Sequence, residues 1–300
     1  MRNSNKINLK AFNHKRDLIK KNEKLQMGIK ELLAQPPLYD FVKCKVDNNE
    51  LFEMFLGGND DGVSLRFYWN DSYEEYSLSL WTKISKFLGK KDIILDIGAH
   101  TGAYALASMS VSQANVAAFE PYALNFARLK MNAKANGYRA NNLFMVAVSD
   151  ANGSVPFTIN TDPTYLTTGG KIGKSEKGFS YVVPSVALDD FISDELKASV
   201  KLIKIDTEGH EARCLKGAER LIEVSKPIIF FESIDAESGI EVEAFFSRHN
   251  YSIYEIDDID HTLKEVDGVS PRLDQKGKPI MSLLNRLAVH SEKKSIFSIV

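Results

Sequence analysis

KDIILDIGAHTG, residues 91–102, is the stretch whose reading decides the fold. Ile93, Ile94 and Leu95 form a short apolar run, as a strand buried on both faces requires. Asp96 stands where that run ends. Gly98 and Gly102 bracket a tight turn, and 103–109 (AYALASM) then reads as a helix. Strand, glycine turn and helix together are how an open α/β sheet builds a nucleotide site. Backbone N–H groups at the helix start face the ligand, and glycine lets it come close. The spacing is not the dinucleotide G-x-G-x-x-G, because His100 holds the place of the second glycine, which a pyrophosphate needs. A carboxylate two residues before the first glycine suits a ligand with a cationic end better than a polyphosphate.

Working outward, 116–119 reads as a second strand that ends in Glu120-Pro121. Residues 123–136 form a helix stopped by Gly137, and 143–148 make a third strand running into Ser149-Asp150. This is β-α-β-α-β, one nucleotide-binding half. Glu120, at the end of the second strand, is placed to accept both hydroxyls of a ribose. A second informative stretch, VKLIKIDTEGHE at 200–211, gives a buried strand through Leu202, Ile203 and Ile205. Asp206 ends it, and Glu208-Gly209-His210 turns into a helix over 211–222. Strands at 227–231 (ending at Glu232), 251–256 and 284–289, with a helix over 237–249, complete one doubly wound sheet.

Upstream, 39–80 reads as a small β-rich preface. Strands are expected at 39–46, 51–56 and 63–69, with a turn at 57–62. The aspartates of that turn lack the spacing and closing Glu of a calcium loop, so it reads as a hairpin. A helix over 73–88, with Glu74 and Glu75 near its start, leads into the central strand. Between possible strands at 155–159 and 181–187 lies a long Gly/Thr/Ser/Lys-rich connection. Its aromatics Tyr165, Phe179 and Tyr181 mark it as either a binding surface or a plain linker.

Composition bounds the function classes. The 300 residues are 44% hydrophobic, enough for one large α/β domain with additions. Net charge is −2, so nothing global favours nucleic acid. The charge is uneven: residues 1–35 hold nine Lys/Arg against three acids, leaving 29 basic and 37 acidic residues elsewhere. Leu18, Leu25, Ile29 and Leu32 give that basic segment a helical stripe. It reads as an accessory helix, with a dimer arm or a contact with anionic partners as the sharper alternatives. Two separated cysteines, Cys44 and Cys214, and the lack of a spanning or signal segment lead to the expectation of a cytoplasmic protein. The divisions are a basic helical extension at 1–37, the preface and lead-in helix at 38–90, and the main domain at 91–300.

In an open sheet, ligands sit outside the carboxyl ends of the strands, at the point where strand order reverses. That gathers Asp96, the 98–102 loop, Glu120, Ser149, Asp206, Glu208, His210 and Glu232 on one rim. Two acids, Asp96 and Glu120, suit a ligand with an ammonium and a ribose. S-adenosylmethionine has both, plus an electrophilic methyl, and no phosphate to repel the acids. A hydroxyl acceptor has to lose a proton, and His210 is the natural base. Asp206 is placed to orient it or to contact the acceptor, with Glu208 beside them. Asp206, Glu208, His210 and Glu232 also admit a metal reading, but the expectation is no metal.

The sequence resembles the FkbM family of S-adenosylmethionine-dependent methyltransferases. The resemblance rests on Glu74, LDIGAHTGAYAL at 95–106, FEP at 119–121 with Asn125 and Asn132, AVSD at 147–150 with Gly153, LDDF at 188–191, KIDTEGHEARCLKGAE at 204–219 and FFES at 230–233. It implies a Rossmann-like methyltransferase fold, a mostly parallel seven-stranded sheet with a late antiparallel strand. It also implies O-methylation of sugar or natural-product hydroxyls. By position, Glu74, Asp96, Gly98, Ala99, His100, Thr101 and Gly102 would hold the cofactor's amino-acid end, with Asp206 nearby. Glu120 would take the ribose and the 147–150 turn, with Val148 and Ser149, the adenine, while Pro121 and Asn125 complete the expected cofactor-binding set. His210 departs from the family pattern, which carries a small residue there, and His100 stands where the family often has Asn. The expected partner is a small-molecule or glycan hydroxyl acceptor, and the N-terminal helix leaves room for a homo-oligomer. The alternative is a non-catalytic cofactor-binding partner in a glycan-biosynthesis assembly. A nicotinamide oxidoreductase would set a pyrophosphate beside Asp96.

Overall fold

The computed structural model describes residues 2–21, 26–162, 169–176, 178–233 and 236–298. Leu25 of the expected stripe and Tyr165 of the long connection lie outside them. In chain order come α1 (Arg2–Lys20), α2 (Ile29–Leu33), β1 (Leu38–Val46), β2 (Asn49–Gly58), α3 (Gly62–Trp69), α4 (Glu75–Lys86), β3 (Ile93–Ile97), α5 (Ala103–Val111), β4 (Asn115–Phe119), α6 (Ala123–Ala135) and β5 (Leu143–Phe144). A second group holds β6 (Ala147–Val148), β7 (Gly153–Ile159), β8 (Gly170–Ile172), β9 (Phe179–Val186), α7 (Leu188–Phe191) and α8 (Asp194–Lys197). The chain then runs through β10 (Val200–Ile205), α9 (Glu211–Lys216), α10 (Glu219–Ser225), β11 (Ile228–Glu232), α11 (Ala236–Arg248), β12 (Tyr251–Asp257), β13 (Thr262–Val266) and β14 (Asn285–His290).

The main sheet has the order β13-β12-β14-β11-β10-β3-β4-β5. Strands β5, β4, β3, β10 and β11 run parallel, β14 is antiparallel between β11 and β12, and β13 is antiparallel to β12. This is the doubly wound Rossmann-like sheet expected, but with eight strands rather than seven and a second antiparallel strand. The extra strand, TLKEV at 262–266, is a mostly exposed edge. Its charges blunt an open edge, and the same polarity hides it from a hydrophobic reading.

Strand order reverses at β3, whose neighbours are β4 on one side and β10 on the other. Because side chains alternate along a strand, the sheet carries a core on each face. Ile94, Leu202 and Phe230 join Trp81, Leu106 and Leu129 on one side. Leu95, Ile203 and Phe231 join Leu215, Leu221 and Phe246 on the other. The hairpin β1–β2 lies on the first side, in the same cluster as α3 to α6.

Four expectations are corrected. Val63–Trp69 is the helix α3, not a strand. Asp61 caps it, its carboxylate accepting from the Val63 N–H at 3.1 Å. Val63, Leu65, Phe67 and Trp69 are all buried, so the helix shows no polar face, and its β-branched and aromatic residues mimic a strand. The hairpin turn is accordingly Asp47–Asn48, both at positive φ, joining β1 to β2. The expected third strand, 143–148, breaks: β5 edges the main sheet, while β6 pairs with β9 in a second sheet of order β6-β9-β7-β8. That second sheet takes in part of the connection read as a loop. The expected helix 211–222 breaks at Gly217, whose missing Cβ would stand 2.0 Å from the Ser149 carbonyl oxygen.

Candidate active site

The glycine turn is built by close approach. Gly98 has φ +77, and a Cβ there would lie 1.7 Å from the Asp206 carbonyl oxygen. No other residue fits without moving β10. The Gly98 and Ala99 N–H groups donate to the Phe119 carbonyl, at 2.9 and 3.0 Å. His100 is left-handed at φ +53, and its N–H donates to Glu120 Oε2 at 2.8 Å. Its ring Nδ1 lies 3.1 Å from Thr101 Oγ1. Gly102, at φ +108, is less tight: a Cβ there would lie 2.6 Å from Leu129 Cδ1.

Asp96 ends β3 inside this turn and is 1% exposed. Burial lifts its pKa to about 6, against the pull of Lys204. Its Oδ2 has no hydrogen-bond partner among the described residues. A buried carboxylate oxygen costs free energy unless something donates to it, so this atom fits a ligand that brings a donor.

Glu120 faces the other half of the turn. Its oxygens accept from the His100 and Tyr122 N–H groups, both at 2.8 Å. Burial nonetheless raises it to about 7. Pro121 separates Glu120 from Tyr122, and Asn125 is buried in the first turn of α6. The 147–150 turn closes this side. Val148 is buried, and Ser149 Oγ lies 3.0 Å from His210 Nε2 and donates to Asp150 at 3.1 Å. The structure therefore brings His210 to the Ser149 turn. Burial, with Arg213, depresses its pKa to about 4. From the second sheet Tyr181, its ring 5.7 Å from that of Phe157, holds a buried hydroxyl without a partner among the described residues. Phe179, by contrast, is largely exposed.

Across β3, the strand register sets Lys204 of β10 directly beside Asp96. The Lys204 ammonium donates to Asp206 Oδ2 at 2.6 Å and sits 4.4 Å from the Tyr104 ring centroid. Burial opposes its charge, but Asp206, Glu74 and Asp96 outweigh that and raise its pKa. Burial would lift Asp206 too, yet Lys204 and a hydrogen bond from Glu232 hold it below the usual carboxylate range. Glu232 takes the opposite course: burial and the Asp206 charge push it well up, so it carries the proton of the pair. Glu208, at φ +56, is lifted to about 8 by burial and by Asp206, although its side chain reaches solvent. Carboxylate oxygens of Asp206, Glu208 and Glu232 lie within 4.8 Å of one another. Glu74, at φ +42 ahead of α4, accepts from the Tyr104 hydroxyl at 2.6 Å.

Several residues that brace the candidate site are not singled out by the sequence reading. Lys204 had a signal: a lysine inside a buried apolar strand needs a partner. Asp61 had none, because its partner is remote in sequence, and Asn132 had only its place in the family motif, with no sign of what it bonds. Asp61 accepts from Thr101 Oγ1 at 3.0 Å and from Ser64 Oγ at 2.6 Å. Asn132 donates to the Thr101 carbonyl at 2.9 Å and accepts from the Phe55 N–H at 2.9 Å. Arg128 and Asn136, four residues either side on α6, bond the same edge of β2. One helical stripe thus ties the hairpin to the glycine turn.

The chain matches the methyltransferase FkbM domain over residues 96–265. It is 25% identical over 151 residues to hexuronic acid methyltransferase AglP of Haloferax volcanii, covering 50% of this chain and 58% of that protein. It is 26% identical to 31-O-demethyl-FK506 methyltransferase FkbM of Streptomyces tacrolimicus, over 54% of this chain and 73% of that one. The crystal structure of methyltransferase FkbM from Methylobacillus flagellatus KT superposes with a TM-score of 0.43 at 18% identity, over 75% of this chain and 52% of that chain. The chain thus spans little more than half the length of two of these relatives.

Proposed function

The chain belongs to the FkbM methyltransferase family, and from that premise we propose that it transfers a methyl group from S-adenosylmethionine to a hydroxyl of a sugar or natural-product acceptor. The observation that carries the reading is the bare, buried Oδ2 of Asp96. It suits the ammonium of the cofactor's amino-acid end, and Glu120, 24 residues on, suits the ribose hydroxyls. Bound there, S-adenosylmethionine supplies an electrophilic methyl on a sulfonium. The names of the two relatives, one acting on a hexuronic acid and one on a demethylated FK506, support an oxygen acceptor.

The residues divide the work. Asp96 and the 98–102 turn orient the donor, and the 147–150 turn with His210 walls the nucleoside side. His210 is largely neutral near pH 7 and faced by Ser149, so this reading gives it a wall position. Asp206, which Lys204 keeps ionised at the end of β10, is given the role of accepting a hydrogen bond from the acceptor hydroxyl, whose proton passes to solvent as the O–CH₃ bond forms. Glu208, whose pKa burial and the Asp206 charge raise, lies on the solvent side of this cluster and contributes a hydrogen bond to the acceptor. Alignment of the hydroxyl with the S–CH₃ bond supplies much of the rate.

Calorimetric titration with S-adenosylmethionine, then labelled-methyl transfer to a panel of glycosides and macrolides, tests this. Asp96→Asn should weaken cofactor binding about 10- to 100-fold, the worth of a charge-assisted hydrogen bond. Native-like binding by that variant, or no heat with the intact protein, overturns the assignment.

A further inference from the structure

The first helix packs on the protein through one stripe and leaves the next one bare. Asn8 and Ala11 are buried, and Leu18 and Lys15 half-buried. Asn8 exchanges hydrogen bonds with the Tyr39 backbone at 2.9 and 3.0 Å. Lys15 reaches Asp71 at 2.9 Å. The adjacent stripe, at spacings of three, four and three, is Leu9, Phe12, Arg16 and Ile19. Leu9 is 55% exposed, Phe12 45% and Ile19 54%. Along the far side of that stripe lie Lys6, Lys10, Lys20 and Lys21, all exposed. Of the helix's basic residues only Lys15 is paired with an acid among the described residues. Asp17 is the one acid in α1.

Exposed large apolar side chains flanked by unpaired lysines are the make-up of a helix that lies in a lipid headgroup layer. We propose that this face of α1 docks on an anionic lipid bilayer, lying in the interface rather than crossing it. Among the described residues no helix is long and apolar enough to cross a membrane. Charge selects this occupant over a second copy of the chain. Two such faces brought together would oppose lysine to lysine, whereas anionic headgroups neutralise them. Nucleic acid would satisfy the lysines but leave Leu9, Phe12 and Ile19 in water. The charge distribution also orients the molecule. Residues 1–35 hold nine basic against three acidic groups, while the rest holds 29 against 37. An anionic surface therefore attracts the N-terminal segment more than the rest of the chain.

Co-sedimentation of the full chain tests this, using vesicles of phosphatidylcholine alone and of phosphatidylcholine mixed with phosphatidylglycerol. The intact protein should partition onto the mixed vesicles about tenfold or more better than onto neutral ones, and less as salt rises. Two variants alter side chains of the exposed faces, of which Phe12 also meets the Tyr68 ring at 6.5 Å, so each is read beside a thermal melt: Leu9→Asp with Phe12→Asp and Ile19→Asp, and Lys6→Glu with Lys10→Glu and Lys20→Glu. Both should lose that partitioning while their thermal melts stay native-like. Equal binding by either variant overturns the proposal. So does absence of binding by the intact chain, including the case in which light scattering shows a dimer that the Asp variant dissolves.

Discussion

The ends of β3 and β10 are built from the same parts and behave in opposite ways. Each is a buried strand finishing in an aspartate ahead of a tight glycine turn, Asp96-Ile97-Gly98 and Asp206-Thr207-Glu208-Gly209. At β3 the carboxylate is left with a bare oxygen and burial lifts it to about 6. At β10 the carboxylate is held by Lys204 and by the proton of Glu232, and stays ionised. One acid is kept for a ligand, and the other is kept charged by the protein itself. The lesson is that an acid at a strand end announces a site, while its partners decide its role.

The largest test breaks the contact between the two ends. Gly98→Ala would drive a Cβ to within 1.7 Å of the Asp206 carbonyl at positive φ, and should cost about 4 kcal/mol or more. Thermal melting should show a steep loss or an unfolded product, and a native-like melt would mean that β10 yields easily. Next, Lys204→Met strips the β10 acid of its cation. An unpaired buried charge costs about 3–5 kcal/mol, readable as a shift in urea midpoint. Adding Asp206→Asn to it should recover part of that loss, and no recovery would unseat the pairing.

Asp96→Asn should act on binding instead of on stability, and pH should expose the reason. A carboxyl lifted to about 6 binds its proton more tightly folded than unfolded. The ligand-free protein therefore loses stability as pH rises from the ordinary carboxylate range through about 6. A cationic ligand needs the ionised form, so cofactor affinity should climb over the same interval and then level. Calorimetry at several pH values should show that climb in the native protein and a shallower one in Asp96→Asn, where Glu120, lifted to about 7, still titrates beside the ligand. The smallest effect belongs to His210→Ala. Removing one neutral hydrogen bond to Ser149 should cost about 1 kcal/mol by chemical denaturation, with the methyl-transfer rate changing less than in Asp206→Asn.

Much of this is legible in the sequence, and the exceptions share a cause. Ile93–Asp96, Leu202–Asp206 and Ile228–Glu232 were readable because apolar runs ending in an acid are local signals. Val63–Trp69 was misread because a helix buried on most sides carries no stripe to count. The strand at 143–148 was overextended because nothing in those six residues says that β6 pairs with β9. Asp61, by sequence one member of an aspartate turn, is in the fold a buried acceptor for Thr101, 40 residues away.

The sequence by itself determined the strand–glycine–helix unit, the order of the β/α repeats and which carboxylates end the strands. These depend on backbone sterics and on hydrophobic period, and both act over a few residues. Only the tertiary structure decided which acid is bare, which is paired and which is protonated. Those states depend on cross-strand register, which sets Lys204 against Asp96, and on burial, which no local run of residues records.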